Sequence, residues 1–150
     1  MKNTIYENGV YIYANGTLHT PESYEGTTGK VIIVMGSDAF EVSPEQIEDA
    51  TWEEAMEFAK SKGGNLPDRL QRMIMWNYRE SLNMALLKIG GTQLGEVGDD
   101  WEWLCEEYST HSAWYFYGTY GTYGYMGYHY KFFAYTGRPL LGFQFNELVD

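Results

Sequence analysis

The stretch ATWEEAMEFAKSKGGNLP, residues 50 to 67, sets the frame for the rest of the chain. Thr51 can cap a helix, and Glu54 three residues later completes a capping box. Trp52, Ala55, Met56 and Ala59 recur at i, i+3, i+4 and i+7, so one face of that helix is apolar. Gly63-Gly64 stops it. The pattern predicts a helix over 51–62.

The helical character extends on both sides of this segment. Ser43-Pro44-Glu45-Gln46 has a capping Ser, a Pro suited to the first helical position and a Gln three residues after the cap, which predicts a further helix start. After Pro67 a second run places Leu70, Met73, Ile74 and Tyr78 on one side. It breaks near residues 79–81, resumes through LNMALLKI, and ends at Gly90-Gly91. Upstream, NGVYIYANGTLHT alternates around Asn15-Gly16, the dipeptide best suited to a tight hairpin, and KVIIVM reads as a buried strand turning at Gly36-Ser37-Asp38 into a second. The chain therefore reads as one domain in three zones: a β region over 1–42, a helical region over 43–91, and a loop and strand region over 92–150. Helices followed by strands, rather than alternating with them, predict an α+β fold with two or three helices on small antiparallel sheets.

The last zone is the unusual one. GTYGTYGYMGYHYK, residues 118 to 131, repeats Tyr and Gly, and no Asp or Glu occurs from Tyr108 to Asn146 although the chain has 21 acids. Tyr combines a rigid apolar ring with a hydroxyl and loses little rotamer entropy when fixed, so with Gly, Ser and Thr it makes an effective binding surface. A core of Tyr and Gly would pack badly and leave hydroxyls to satisfy. Tyr108, His111, Tyr115, Tyr117, Tyr120, Tyr123, Tyr125, Tyr128, His129 and Tyr130 are accordingly the candidate ligand-binding residues. Trp103, Trp114, Phe116, Phe132 and Phe133 are expected in the core, being too apolar to leave wet.

Composition excludes several classes. The formal charge of −11 disfavours nucleic acid and acidic membranes as partners. The longest aliphatic run, VIIVM, is far below the roughly 20 residues that span a bilayer, and the first residues show no export signal, so a soluble chain without membrane insertion is expected. Cys105 is the only cysteine, which excludes an intrachain disulfide and thiolate-rich zinc sites. Lying beside Glu106 and Glu107, its thiolate is disfavoured, and it reads as a small buried residue. The acids Glu96, Asp99, Asp100, Glu102, Glu106 and Glu107 do not follow calcium-loop spacing and read as a solvated loop. His19, His111 and His129 are too scattered for a local metal motif, and the glycines match no phosphate loop. No catalytic set and no cofactor are legible. A binding protein is expected rather than an enzyme.

A family resemblance rests on several of these motifs. ATWEEAMEFAKSKGGNLP resembles the first-helix signature of C-type-lectin-like domains. WLCEEYSTHSAWYFYG (103–118), Lys131 and GRPLLGF (137–143) resemble the C-terminal pattern of the lectin-like domains related to formylglycine-generating enzymes, and residues 8–42 are similar to the N-terminal β region of such proteins in gut bacteria and their phages. The resemblance implies a C-type-lectin-like fold and, more narrowly, the variable proteins of diversity-generating retroelements, in which adenine-directed mutagenesis alters a C-terminal stretch displayed on a fixed scaffold. It implies that Tyr and His within 108–130 contact a protein or glycan ligand on a cell surface, with Trp103, Trp114, Lys131, Arg138 and Pro139 as scaffold. A phage tail or cell-surface location follows from the same resemblance. The chain lacks the Glu-Pro-Asn and Trp-Asn-Asp motifs of calcium-dependent sugar-binding lectins and the paired cysteines of sulfatase-activating enzymes, and Leu104-Cys105 replaces the usual Ser-Ser. Those chemistries are not implied. An undiversified bacterial surface or pilus module is the alternative, with a formylglycine-generating-type enzyme behind it. Exposed aromatic area can also drive homo-oligomer formation, although no coiled-coil repeat is present.

Overall fold

The computed structural model describes residues 6–95, 100–119 and 123–148. Its elements run β1 (Gly9–Ala14), β2 (Thr17–His19), β3 (Lys30–Met35), β4 (Asp38–Val42), β5 (Ile47–Ala50), α1 (Trp52–Ser61), α2 (Arg69–Asn77), α3 (Arg79–Lys88), β6 (Asp100–Glu107), β7 (Ser112–Thr119), β8 (Tyr123–Tyr130), β9 (Tyr135–Gly137) and β10 (Leu140–Gly142), with a short 3-10 helix at Phe145–Glu147. The architecture is α+β: three helices and two five-stranded, mostly antiparallel sheets, ordered β10-β4-β3-β1-β2 and β5-β9-β6-β7-β8. Among the described residues one strand pair is parallel, β6 with β9.

The first sheet follows its sequence closely. Asn15 and Gly16 both take positive φ, 54° and 80°, in the two-residue turn between Ala14 and Thr17, as a hairpin with right-handed strand twist requires. The central strand β3 is buried on both faces. Val31 and Ile33 pack under α3 with Val10, Ile12, Leu82 and Leu86, while Ile32 and Val34 meet Leu18 and Phe143 on the other side. β10 pairs with β4, so the C-terminal segment closes the N-terminal sheet.

The capping boxes of α1 and α2 both form, with Thr51 and Glu54 in one and Asp68 and Gln71 in the other. Thr51 holds Glu54 below the usual carboxylate range, through its backbone N–H first and its hydroxyl second. α1 buries Trp52, Ala55 and Ala59 against the second sheet. Trp52 Nε1 donates to Leu104 O at 2.8 Å, and Trp103 Nε1 donates to Ala50 O at 3.0 Å.

Three expectations about the helical zone are corrected. The predicted helix start at Ser43 does not form: Ser43 caps Glu45 N only locally, and Ile47–Ala50 becomes an edge strand on β9. Local capping propensity loses there to ladder hydrogen bonds and to Arg138, which is fully buried and donates to Ser43 O and Gln46 Oε1. The break between the second and third helices falls at Tyr78. The buried face of α2 is Arg72, Met75 and Trp76, whereas Leu70 is 71% exposed and Met73 is also exposed. A buried arginine rotates the face that apolar spacing alone would choose.

Candidate ligand-binding face

β6, β7 and β8 form a meander whose pleat decides what each aromatic residue does. Across β7 and β8 the register is unbroken from Ser112↔Tyr130 to Thr119↔Tyr123, so residues of like parity share a face. One face carries Trp101, Trp103, Tyr115, Tyr117, Tyr123, Tyr125 and His129. The other carries Glu102, Leu104, Trp114, Phe116, Met126 and Tyr128.

The second of these faces is anchored by α2. Trp76 packs with Leu104 and Phe116, and Trp114 and Met126 close the cluster. Beneath lies a buried ion pair. Arg72 Nη2 meets Glu102 Oε2 at 2.6 Å with both side chains almost wholly inaccessible, and the guanidinium sits 4.0 Å from the Phe116 ring centre. At the margin Arg69 lies 4.3 Å from the Trp114 ring centre and bonds Glu106, holding that carboxyl below its usual range. Tyr108 and Tyr128 stack there, 3.6 Å between centroids and 2° between planes. The Tyr128 hydrogen bond raises the Tyr108 phenol above its ordinary value.

The first face is an open aromatic array. Trp103 and Ala113 lie under α1, but beyond the helix Trp101 contacts Tyr117 (4.3 Å), Tyr115 (5.2 Å) and Tyr135 (5.5 Å). Tyr117 meets Tyr125 at 5.3 Å, and Tyr125 stacks with Tyr123. The array continues through His129, whose Nδ1 lies 2.8 Å from the Tyr135 hydroxyl, to Phe133 stacked on it at 3.9 Å. Burial, then the neighbouring Tyr125, pushes the Tyr115 phenol up; burial followed by Tyr115 and Tyr125 does the same to Tyr135.

The glycines of the repeat are spacers for these rings. A Cβ on Gly124 would stand 2.6 Å from Phe116 Cζ and 3.1 Å from Trp76, and one on Gly127 would stand 2.7 Å from the Tyr115 hydroxyl. Both positions must stay bare for the β7 rings to lie flat across β8.

Of the ten candidate residues, the structure gathers Tyr115, Tyr117, Tyr123, Tyr125 and His129 on the open face. Tyr108 and Tyr128 are on the opposite one. Tyr123, Tyr125, Tyr128 and Tyr130 are 42–53% exposed, because β8 is an edge strand with both sides partly free. His111 and Tyr130 line a separate cleft of about 470 Å³ with Thr51, Glu53, Lys131 and Phe132. Tyr120 lies outside the described residues. The pleat thus divides the candidate residues between the two faces of the sheet.

Other expectations are corrected here. Phe132 is 71% exposed and Phe133 is exposed as well, because the turn after β8 carries them off the sheet into a ring series with Tyr130. Trp103 and Phe116 are fully buried, and Trp114 is half-buried. The acidic run is no solvated loop from residue 100 onward: it is β6, with Glu102 paired to Arg72, Glu106 to Arg69 and Glu107 to Lys131. Glu96 and Asp99 lie outside the described residues. Among the described residues no group of three or more His, Cys, Asp or Glu gathers as metal ligands. Cys105 is half-buried rather than buried, and burial first, then Asp68 and Glu106, pushes its thiol up. Lys131 is held by Glu107 at 2.8 Å and Thr110 O at 2.9 Å and lies 4.5 Å from the Trp52 ring centre. Arg138 and Pro139 are buried in the link from β9 to β10, strands of different sheets.

Sequence reasoning missed Trp101 and Tyr135. Alternation in DWEW carried the signal for Trp101, which shares parity with Trp103. Tyr135 joins the array only through the parallel β6-β9 pairing, which no local pattern encodes.

No family model and no curated protein matches this chain. No helix among the described residues is long and apolar enough to cross a membrane.

Proposed function

We propose that this chain is a C-type-lectin-like ligand-binding domain of the retroelement-diversified type, which grips a protein or glycan on a cell surface through the tyrosines of β7 and β8. The observation that carries the reading is the open array of Tyr117, Tyr123 and Tyr125 on Trp101. These rings are large, uncharged and partly wet, and they are held by one another rather than by the core. Aromatic residues so placed supply most of the energy of a binding interface at low entropic cost. Their backbone is fixed by β-ladders, while their side chains can be exchanged without disturbing the buried pair of Arg72 and Glu102 or the α1 contacts. A surface of this design tolerates sequence change. A virion or cell-surface adhesin is the setting in which such tolerance is useful.

The test is in the coding DNA. Sequencing both flanks of the gene should uncover a near-copy of the segment encoding residues 103–140, with mismatches at adenines clustered on codons 108–130. Flanks without such a copy would overturn the diversified reading and leave a fixed lectin-like adhesin.

A further inference from the structure

The four sheet edges of this molecule are treated differently. β2 and β10 are three residues each. β5 is four residues with a register shift, exposed Glu48 and Asp49, and positive φ at Asp49. Short length, charge and irregularity are how proteins keep an edge from pairing with another chain. β8 has none of these protections. It is eight residues long, YGYMGYHY, with no Lys, Arg, Asp, Glu or Pro, and it matches β7 residue for residue. Among the described residues, only β7 pairs with it.

We propose that β8 is a dimerisation edge, pairing antiparallel with β8 of a second copy across a two-fold axis at Met126. Charge selects a second copy as the occupant. Two chains of net charge −11 repel each other overall, but the tract from Tyr108 to Asn146 has no acid, so this edge lets copies meet without opposing carboxylates.

The pleat then fixes the register. Residues directly opposite in an antiparallel pair point to the same side, so a two-fold axis normal to the sheet places Met126 opposite Met126 or Gly127 opposite Gly127. With Met126 on the axis, Tyr125 stands opposite Gly127 and Gly124 opposite Tyr128, so each of these four positions sets a ring beside a bare glycine. The alternative opposes Gly127 to itself, with no side chain to pack. Aromatic rings over cross-strand glycines compensate the weakness of glycine in a strand. Pairing in this register covers neither sheet face any further and sets the two Tyr117, Tyr123 and Tyr125 arrays side by side on one continuous sheet. The proposal stands apart from the identity of any ligand.

Sedimentation of the full chain without ligand, from low micromolar to hundreds of micromolar, should show the mass rising from 17.3 kDa toward twice that value. The double variant Tyr125→Lys with Tyr128→Lys should stay monomeric. In a Cys105→Ser background, Met126→Cys should oxidise to a covalent dimer, because opposed Cα atoms about 4.5–5.5 Å apart suit a disulfide. Tyr125→Cys, displaced two residues from its symmetry mate, should cross-link several-fold less. A wild-type chain that remains monomeric overturns the proposal and leaves the edge for a strand of another protein, with the ligand reading untouched. So does a dimer indifferent to the two lysines, or equal cross-linking at 125 and 126. Should the lysine variant fail to fold, the wild-type mass and the cysteine pair still decide.

Discussion

The two sheets have the same number of strands and opposite uses for them. In the first, the central strand β3 is aliphatic on both faces and is covered on both, by α3 on one side and by a layer with Leu18, Tyr13 and Phe143 on the other, and Val31 through Val34 are all inaccessible. In the second, α2 and a buried ion pair cover part of one face and α1 part of the other, and the rings left partly in water include Tyr123 and Tyr125 on one side and Tyr108 and Tyr128 on the other. A central strand covered on both faces makes a sheet that stabilises. Aromatic side chains on faces that helices cover only in part make a sheet that stabilises where it is covered and displays where it is not. α2 couples them, with Met75 in the core of the first sheet and Trp76 in that of the second.

The inner side of the second sheet should give the largest effect. Arg72→Ala strands Glu102 as an uncompensated buried carboxylate, and chemical denaturation should report a loss of about 3–5 kcal/mol. In the first sheet, Ile33→Ala opens a cavity between β1, β4 and α3, with an expected cost of about 2–5 kcal/mol by the same measurement. A smaller effect sharpens the division within β8. Gly124→Ala drives a methyl into Phe116 and Trp76, neither of which can swing away, and should cost about 1–3 kcal/mol. Gly127→Ala meets the hydroxyl and the outer ring edge of Tyr115, the far end of a half-buried side chain that can turn aside, and should cost less. Equal penalties at the two glycines would mean that both faces of β8 are equally packed, and the contrast between them would fail.

Much of the first sheet was legible because its determinants are local. Asn15-Gly16 dictates its turn and VIIV its burial, and the capping box at Thr51 marks its helix within a residue. Long-range effects were not legible. Ser43 carries a helix-start signature, yet Arg138, 95 residues away, holds its carbonyl in a strand approach. The charge of Arg72 hid its burial, since its partner Glu102 lies in another element. The tyrosine tract was recognisable as a surface from composition, and alternation pairs Tyr115 with Tyr117, Tyr123 with Tyr125 and Tyr128 with Tyr130, but which β7 rings lie beside which β8 rings needed the β7-β8 register. Phe132 and Phe133 were misplaced because hydrophobicity ranks them as core, while their position beyond the strand end leaves them no layer to enter.

The central claim is that the β8 tyrosines are displayed rather than structural. Thermal unfolding of a Tyr123→Ala, Tyr125→Ala and Tyr128→Ala triple variant, followed by near-ultraviolet circular dichroism, tests it most directly. Exposed substitutions away from the core cost about 0.5 kcal/mol each, so the account predicts one cooperative transition lowered by only a few degrees. Loss of the cooperative transition would contradict it, and would make these rings part of the core.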